Sequence, residues 1–404
     1  MALGPLEGLR IIDMTSVIMG PYATQILADY GADVIHVEPP EGDVLRNSGP
    51  MREPNMAANF VQLNRNKRSL VLDLKHELGK KAFLRLCEGA DVFVHNVRTA
   101  AMRRLGLCAA DVQAGHPRLI YVSLTGYGED GPYAGRPAYD DLIQGITALP
   151  GLAVQSGGSE PRYVPLNLAD RAVGLHAVHA ILAAVISRDR TGVAAAVDVS
   201  MFEAMAQFVL SDHLGGRAFV PQVGETGYSR LLASNRRPYR TQDGYVCVLI
   251  YNDKQWEAFF RAIGRSEQFA TDARLNTHKM RAAHFNEVYG IAGEIFLERT
   301  SAAWLELLTA HDVPCVPYRT LDELISDEHL AAVGFFTNLP SDDGGEVRYV
   351  GAVGRWSEDG PRVRTHAPRL GEQSIEILRE AGMSPDEISQ LIAAGASVEG
   401  PAHV

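Results

Sequence analysis

The first third of the chain alternates short β-branched runs with helical patterns, and this alternation restricts the fold more than any other feature. In order come LRIIDM, PYATQILADYG, DVIHVE, SLVLDL, HELGKKAFLRLCEGA and DVFVHN. The strand-like runs are continuously apolar and too short for helices, as strands buried on both faces are. Strands of this kind separated by helices predict an α/β fold with a mostly parallel sheet covered by helices. LIYVSLTGYG and AYDDLIQGITAL carry the pattern to about residue 150, and a long helix of small apolar residues closes it at the turn of residues 190–192.

At 404 residues the chain exceeds what one compact core usually holds, so two domains or one domain with a large insertion is expected. The texture changes over residues 213–240, which are rich in Gly, Arg, Pro and Ser as a linker or active-site loop would be. A second unit starts near YRTQDGYVCVLIY and runs through QWEAFFRAIG and two amphipathic helices to HDVPCVPYRTLDELI. The tail returns to strand-like VRYVG and then one amphipathic helix, SIEILREAGMSPDEISQLIAAG, suited to pack back on the first domain. The expected division is a large α/β domain over residues 1–215, a small α+β domain over 225–330, and a return segment, 331–404, that completes the large one.

A formal net charge of -11 argues against nonspecific nucleic-acid binding, which needs a basic face. Cys87, Cys108, Cys247 and Cys315 are far apart and read as reduced, structurally buried thiols. No HExxH, CxxC or carboxylate-rich cluster suggests a metal, and no GxSxG elbow is present. The start MALGPLEGLR lacks the charged-then-apolar order of a signal peptide, and His176, His179 and the RDR cluster interrupt the longest apolar helix. A cytoplasmic, soluble protein without membrane or nucleic-acid partners is therefore expected.

Asp170 heads that long helix in LNLADRAVGLHAVHAILAAVISRDRTG, with Gly174 one turn further on. Asp is a favoured N-cap, and on these residues alone capping is the commoner role. A carboxylate at a helix N-terminus is also held in its charged form by the dipole, which suits a nucleophile. GYGEDG, Gly126 to Gly131, matches G-x-G-x-x-G after a strand, but Pro132, Gly135 and Pro137 follow where that motif must open a helix. A turn-rich loop is expected instead, and a Rossmann dehydrogenase is disfavoured. Basic residues cluster at Asn64–Ser69, His95–Gly106 and Ser234–Arg240. Solvated loop charge is the ordinary reading, yet the first two clusters flank strands of one sheet, whose ends are where such folds bind anions.

Taken in order, GLRIIDMT, GPYATQILADYGADVIHVEPPEGD, LNRNKRSLVLDLK, VFVHNVRTAAMRRLGL, LTGYGEDGPYAGRPAYD, LADRAVG, VDVSMFEA, DVPCVPYRTLDEL and APRLGEQ resemble the class III coenzyme A transferases, the family of formyl-CoA transferase, carnitine CoA-transferase and the acyl-CoA racemases. The resemblance implies a Rossmann-like large domain with a smaller inserted one, in an interlocked homodimer. It implies that Asp170 is the nucleophile, attacking an acyl-CoA to form an aspartyl anhydride and then an aspartyl-CoA thioester before CoA passes to a carboxylic acid acceptor. No tightly bound cofactor is implied, since coenzyme A enters as substrate. By position, Val17, Leu72, Lys75, Asn96 and Arg104 match CoA-contacting residues, with Arg98 a looser candidate for a phosphate. Tyr139 and Asp140 match residues lining the pocket beside the nucleophile.

Two departures from the family pattern bear on the reaction. The racemases carry a histidine directly before the position of Asp140, where this chain has Tyr139, and a phenol of ordinary pKa near ~10 is a poor base at neutral pH. Transferase is thereby favoured over racemase or epimerase; a non-catalytic CoA-binding paralogue is a separate alternative. The glycine run of the oxalate-type members is replaced by SNRRPYR, which disfavours formyl-CoA and oxalate. It also makes Arg236 and Arg237 candidates to pair with a second carboxylate on a dicarboxylic acyl group.

Overall fold

The computed structural model describes residues 4–342 and 344–400. Six strands, β1 (Arg10–Met14), β2 (Asp33–Glu38), β3 (Lys67–Val71), β4 (Val92–His95), β5 (Ile120–Thr125) and β6 (Ala196–Ser200), form one sheet in the order β3-β2-β1-β4-β5-β6. Every pairing in it is parallel. The α-helices up to residue 213 are α1 (Met19–Asp29), α2 (Ala58–Asn64), α3 (Glu77–Cys87), α4 (Thr99–Leu105), α5 (Ala109–Gly115), α6 (Asp140–Ile146), α7 (Leu149–Gln155), α8 (Leu168–Thr191) and α9 (Met201–His213). The chain winds from β1 outward to β3, then returns to place β4 on the other side of β1. The loops leaving the carboxyl ends of β1 and β4 therefore diverge, and such a switch point opens a crevice for ligands.

Two compact units result. One holds the chain up to Thr147, Pro165–Ala206 and the chain from His329 onward; the other holds Ala148–Val164 and Gln207–Glu328. The segment Ala148–Val164 thus leaves the large domain to which the sequence assigns it. Ala148 turns the chain in a left-handed conformation at φ 67, α7 buries no residue of its own, and Gly157 packs closely on Ser234 of the second unit. The second unit pairs β7 (Tyr239–Arg240), β8 (Tyr245–Val248) and β9 (Cys315–Pro317) over an aromatic core of Trp256, Phe259, Phe260, Phe296 and Trp304.

The core of the first unit joins Ile12, Ile35, Leu70 and Phe93 of the sheet to Phe83 and Leu86 of α3 and to Ile377, Leu378, Ile388 and Leu391 from the C-terminal segment. An antiparallel hairpin, β10 (Phe336–Pro340) and β11 (Glu346–Val350), precedes that segment. Two helices, Ser374–Glu380 and Pro385–Ala393, stand where the sequence pattern suggests one. Gly382 at φ 76 ends the first, and Ser384 caps the second in a reciprocal box with Glu387, with Pro385 in its first turn.

α8 overturns a second expectation. By length and composition it is long and apolar enough to cross a membrane, because two histidines barely lower the average of 24 residues. One face of it packs within the first unit: it buries Val173, Ala177, Val178 and Ile181, and Arg188 pairs with Asp91 at 2.9 Å. Gly174 lets it approach α1, since a Cβ there would lie 2.9 Å from the Met19 carbonyl oxygen and 3.0 Å from the Tyr22 ring. The four cysteines are free, and only Cys87 is fully buried, so burial explains one thiol rather than all four.

The basic stretch Asn64–Ser69 is neither solvated nor available to phosphate. Lys67 is fully buried and donates to Asp13 Oδ2 at 3.0 Å, the Pro21 carbonyl at 3.1 Å and Asn64 Oδ1 at 2.9 Å, which uses all three of its donors. Arg65 grips Asp29 through two bonds of 3.1 and 2.7 Å, and Arg68 pairs with Asp33 on the neighbouring strand and with Glu380 on the C-terminal segment. β3 begins two residues before the apolar run SLVLDL, which draws these side chains into the fold.

Candidate active site

α6 and α8 meet where the Asp140 carboxylate takes a backbone N–H of α8. Asp140 is the first residue of α6; its Oδ1 accepts the Asp170 backbone N–H at 2.9 Å and its Oδ2 accepts Gln144 Nε2 at 2.6 Å. Asp170 is the third residue of α8, and Asn167 occupies the N-cap position without a side-chain cap bond. Asp170 therefore lies inside the first turn and does not cap the helix. Its carboxylate accepts no hydrogen bond among the described residues, while Arg171 turns aside to stack over Tyr22 at 4.4 Å.

This geometry corrects the expected charge state. Burial, with the negative charge of Asp140 beside it, pushes the Asp170 carboxyl up to about 7, against the opposing pull of Arg171. The helix terminus does not hold the group in its usual range. A half-buried carboxylate without donors loses more from desolvation than a screened dipole returns.

Asp170 opens on a cleft of about 260 Å³ at the carboxyl ends of β1, β4 and β5. Ser16 and Val17 after β1, Asn96 and Arg98 after β4, and Tyr127, Arg136, Tyr139 and Asp140 after β5 form its walls. Two of these loops are tied together: Asn96 Oδ1 accepts the Ser16 N–H at 3.0 Å, and Asn96 Nδ2 donates to the Ser16 carbonyl at 2.8 Å. Val17 sits at φ 70, which costs a β-branched residue on the order of 1–3 kcal/mol and persists only where its surroundings hold it. Its N–H donates to Asp43 Oδ2 at 3.0 Å. Residues 126–139 form the turn-rich loop expected of GYGEDG, with no helix before Asp140.

Of the predicted site residues, the structure gathers Val17, Asn96, Arg98, Tyr139, Asp140 and Asp170 around one cleft. Tyr139 is 67% exposed, and Asp140 only 8%. Leu72, Lys75 and Arg104 do not line it. The Leu72 side chain belongs to the core, Lys75 is exposed on a turn whose N–H is held by Asp73, and Arg104 is exposed on the last turn of α4. Arg236 and Arg237 are exposed residues of the second unit, after the short helix Ser229–Leu232. The sequence patterns gave no reason to single out Gln144 or Asp43. The only signal was polar residues inside otherwise apolar or helical runs.

Behind the cleft lies a polar core that was also missed. Asp13 and Lys67 pair, and His36 stands 3.4 Å from Asp13 and 3.9 Å from Glu38. Arg46, 1% exposed, grips Glu38 with two bonds of 2.7 Å and stacks over Phe60 at 3.9 Å. Burial opposes charge at Glu38, but His36 and Arg46 outweigh it and hold the carboxyl down to about 2.

An open parallel sheet with a cleft at its switch point, and a half-buried carboxylate of raised pKa facing it, is the arrangement of an α/β protein with a small-ligand site. The chain matches CoA-transferase family III over residues 6–374 and belongs to that family. Succinate–glutarate CoA-transferase of Agrobacterium fabrum is 32% identical over 390 residues, 93% of this chain and 95% of that protein. Acetyl-CoA:oxalate CoA-transferase of Acetobacter aceti is 33% identical over 389 residues, 93% of this chain and 96% of that protein. The crystal structure of a CaiB/BaiF family protein from Brucella suis superposes with a TM-score of 0.78 at 30% identity, covering 94% of this chain and 99% of that one. The protein is a family III CoA-transferase.

Proposed function

We propose that the protein moves CoA from an acyl-CoA thioester to a free carboxylic acid with Asp170 as nucleophile. The observation that carries this is the Asp170 carboxylate itself, which faces the cleft without a hydrogen-bond donor and is pushed up to about 7. A carboxylate so placed is poorly solvated and more basic than usual, which strengthens it as a nucleophile once ionised.

Asp170 attacks the thioester carbonyl and the C–S bond breaks, giving an aspartyl acyl anhydride and CoA thiolate. The thiolate attacks the aspartyl carbonyl, releases the donor carboxylate and leaves an aspartyl-CoA thioester. The acceptor carboxylate attacks that thioester, giving a second anhydride and thiolate. Attack of the thiolate on the acceptor's acyl carbon yields the new acyl-CoA and returns Asp170. Each step exchanges one leaving group for another, and no proton need move.

The cleft of about 260 Å³ is below the usual ~300–1,000 Å³ of sites that enclose a drug-sized ligand. It suits the reacting end of the substrate, near Val17, Asn96 and Tyr139. Arg98, with Lys75, Leu72 and Arg104 kept as candidates through family resemblance, would serve the remainder of CoA. No tightly bound cofactor is invoked; coenzyme A is substrate. Dicarboxylic acyl groups fit the names of several relatives, and Arg236 or Arg237 would pair with the second carboxylate. A cytoplasmic homodimer completes the reading.

Incubation with a panel of acyl-CoA thioesters followed by intact-mass measurement tests it. The expected result is a CoA-sized adduct that is lost in Asp170→Ala and after hydroxylamine. An active protein that forms no such adduct with any donor would overturn the mechanism. Arg236→Ala or Arg237→Ala should lower the preference for dicarboxylate acceptors; unchanged preference in both removes that role.

A further inference from the structure

Asp43 touches no part of the cleft, yet it holds the residue whose backbone conformation shapes one wall. It is 4% exposed, and both of its carboxylate oxygens are committed. Oδ2 accepts the Val17 N–H at 3.0 Å, and Oδ1 accepts the Leu45 N–H at 2.8 Å, capping the turn Val44–Asn47. Its own N–H donates to Glu38 Oε2 at 3.0 Å. Glu38 is in turn fixed by Arg46 and by Ser69 Oγ at 2.8 Å, and Arg46 reaches the Pro368 carbonyl at 3.2 Å. A continuous chain of buried bonds therefore runs from the edge of the sheet to the loop after β1.

Val17 needs such an anchor because it is β-branched and left-handed. Asn96 secures Ser16 on one side of it. Nothing else among the described residues takes the Val17 N–H. Without Asp43, Val17 is expected to leave the left-handed region, swing its carbonyl and side chain, and reshape the wall that faces Asp170.

We infer that Asp43 is a positioning residue of the CoA-transfer site, which holds Val17 left-handed so that the loop after β1 is preformed to receive the acyl-CoA. This rests on the cleft being the acyl-CoA site. Preorganisation of this kind is felt in ground-state binding, since the Asp170 carboxylate itself is untouched.

The test compares wild type, Asp43→Ala, Asp43→Asn, Val17→Gly and the double variant Asp43→Ala/Val17→Gly. Asp43→Ala should raise KM for acyl-CoA about tenfold with kcat within about threefold, and speed amide exchange over residues 15–18. Asp43→Asn should fall between, because one amide oxygen must serve two N–H groups. Glycine pays no steric penalty at positive φ, so Asp43→Ala made in the Val17→Gly background should change KM by no more than about threefold relative to Val17→Gly alone. A merely structural Asp43 would show the same tenfold effect in both backgrounds. Unchanged KM in Asp43→Ala and Asp43→Asn, or a tenfold effect of Asp43→Ala that persists in the Val17→Gly background, overturns the inference. Should wild type transfer no CoA at all, the exchange measurement still decides whether Asp43 holds the loop; that outcome would fall on the proposed function alone.

Discussion

Asp13 and Asp170 are both withdrawn from water in the same unit, and their surroundings drive them in opposite directions. Burial disfavours charge at Asp13, but Lys67, His36, Thr15 and Thr24 surround it with positive charge and donors, and its carboxyl is held well below the usual range. Burial disfavours charge at Asp170 as well, and there the neighbour is a second carboxylate, so the group rises to about 7. The difference separates structure from chemistry. A carboxylate whose lone pairs are all engaged braces the sheet, whereas one left without donors has them open, as the role proposed for Asp170 requires.

The largest effect should come from breaking the satisfied pair. Lys67→Met leaves Asp13 charged and buried without its cation, and a loss of about 3–5 kcal/mol in denaturant unfolding is expected. Lys67→Met with Asp13→Leu should recover part of that loss, because no unpaired charge remains. Equal stability of Lys67→Met and wild type would show that Asp13 is not held as described.

A smaller effect of the opposite sign is expected at Asp170. Its folded pKa of about 7 lies above the ordinary aspartate value of 3.8, so the folded state binds more protons between them and stability falls as pH rises through that window. Asp170→Asn mimics the neutral form, so it should raise the thermal midpoint at pH 8 and change it little at pH 4. A midpoint lowered at pH 8 would contradict the desolvated environment. Glu38 behaves in the reverse sense: its stabilising contribution is lost as pH falls from 4.5 toward about 2.

What the sequence disclosed follows from the same contrast. Apolar runs announce strands by composition alone, so β1, β2, β4 and β5 fall where LRIIDM, DVIHVE, DVFVHN and LIYVSLT lie. The GYGEDG loop was legible because prolines forbid the helix a dinucleotide site needs. Lys67 was not, since a lysine beside arginines looks solvated until strand pairing with β2 carries it inside. The raised pKa of Asp170 was hidden for a related reason: it depends on Asp140, thirty residues earlier, and on the absence of a donor. Ala148–Val164 changed units through packing on a distant segment, which no local pattern records.

The most direct measurement of the central claim is the pH dependence of single-turnover acylation by an acyl-CoA, followed as CoA release, in wild type and Asp140→Asn. Wild type should lose rate below a limb near pH 7, and removing the Asp140 charge should move that limb to lower pH. A rate independent of pH from 5 to 8, or a limb in the same place in both proteins, would contradict a nucleophile tuned by burial and by its carboxylate neighbour.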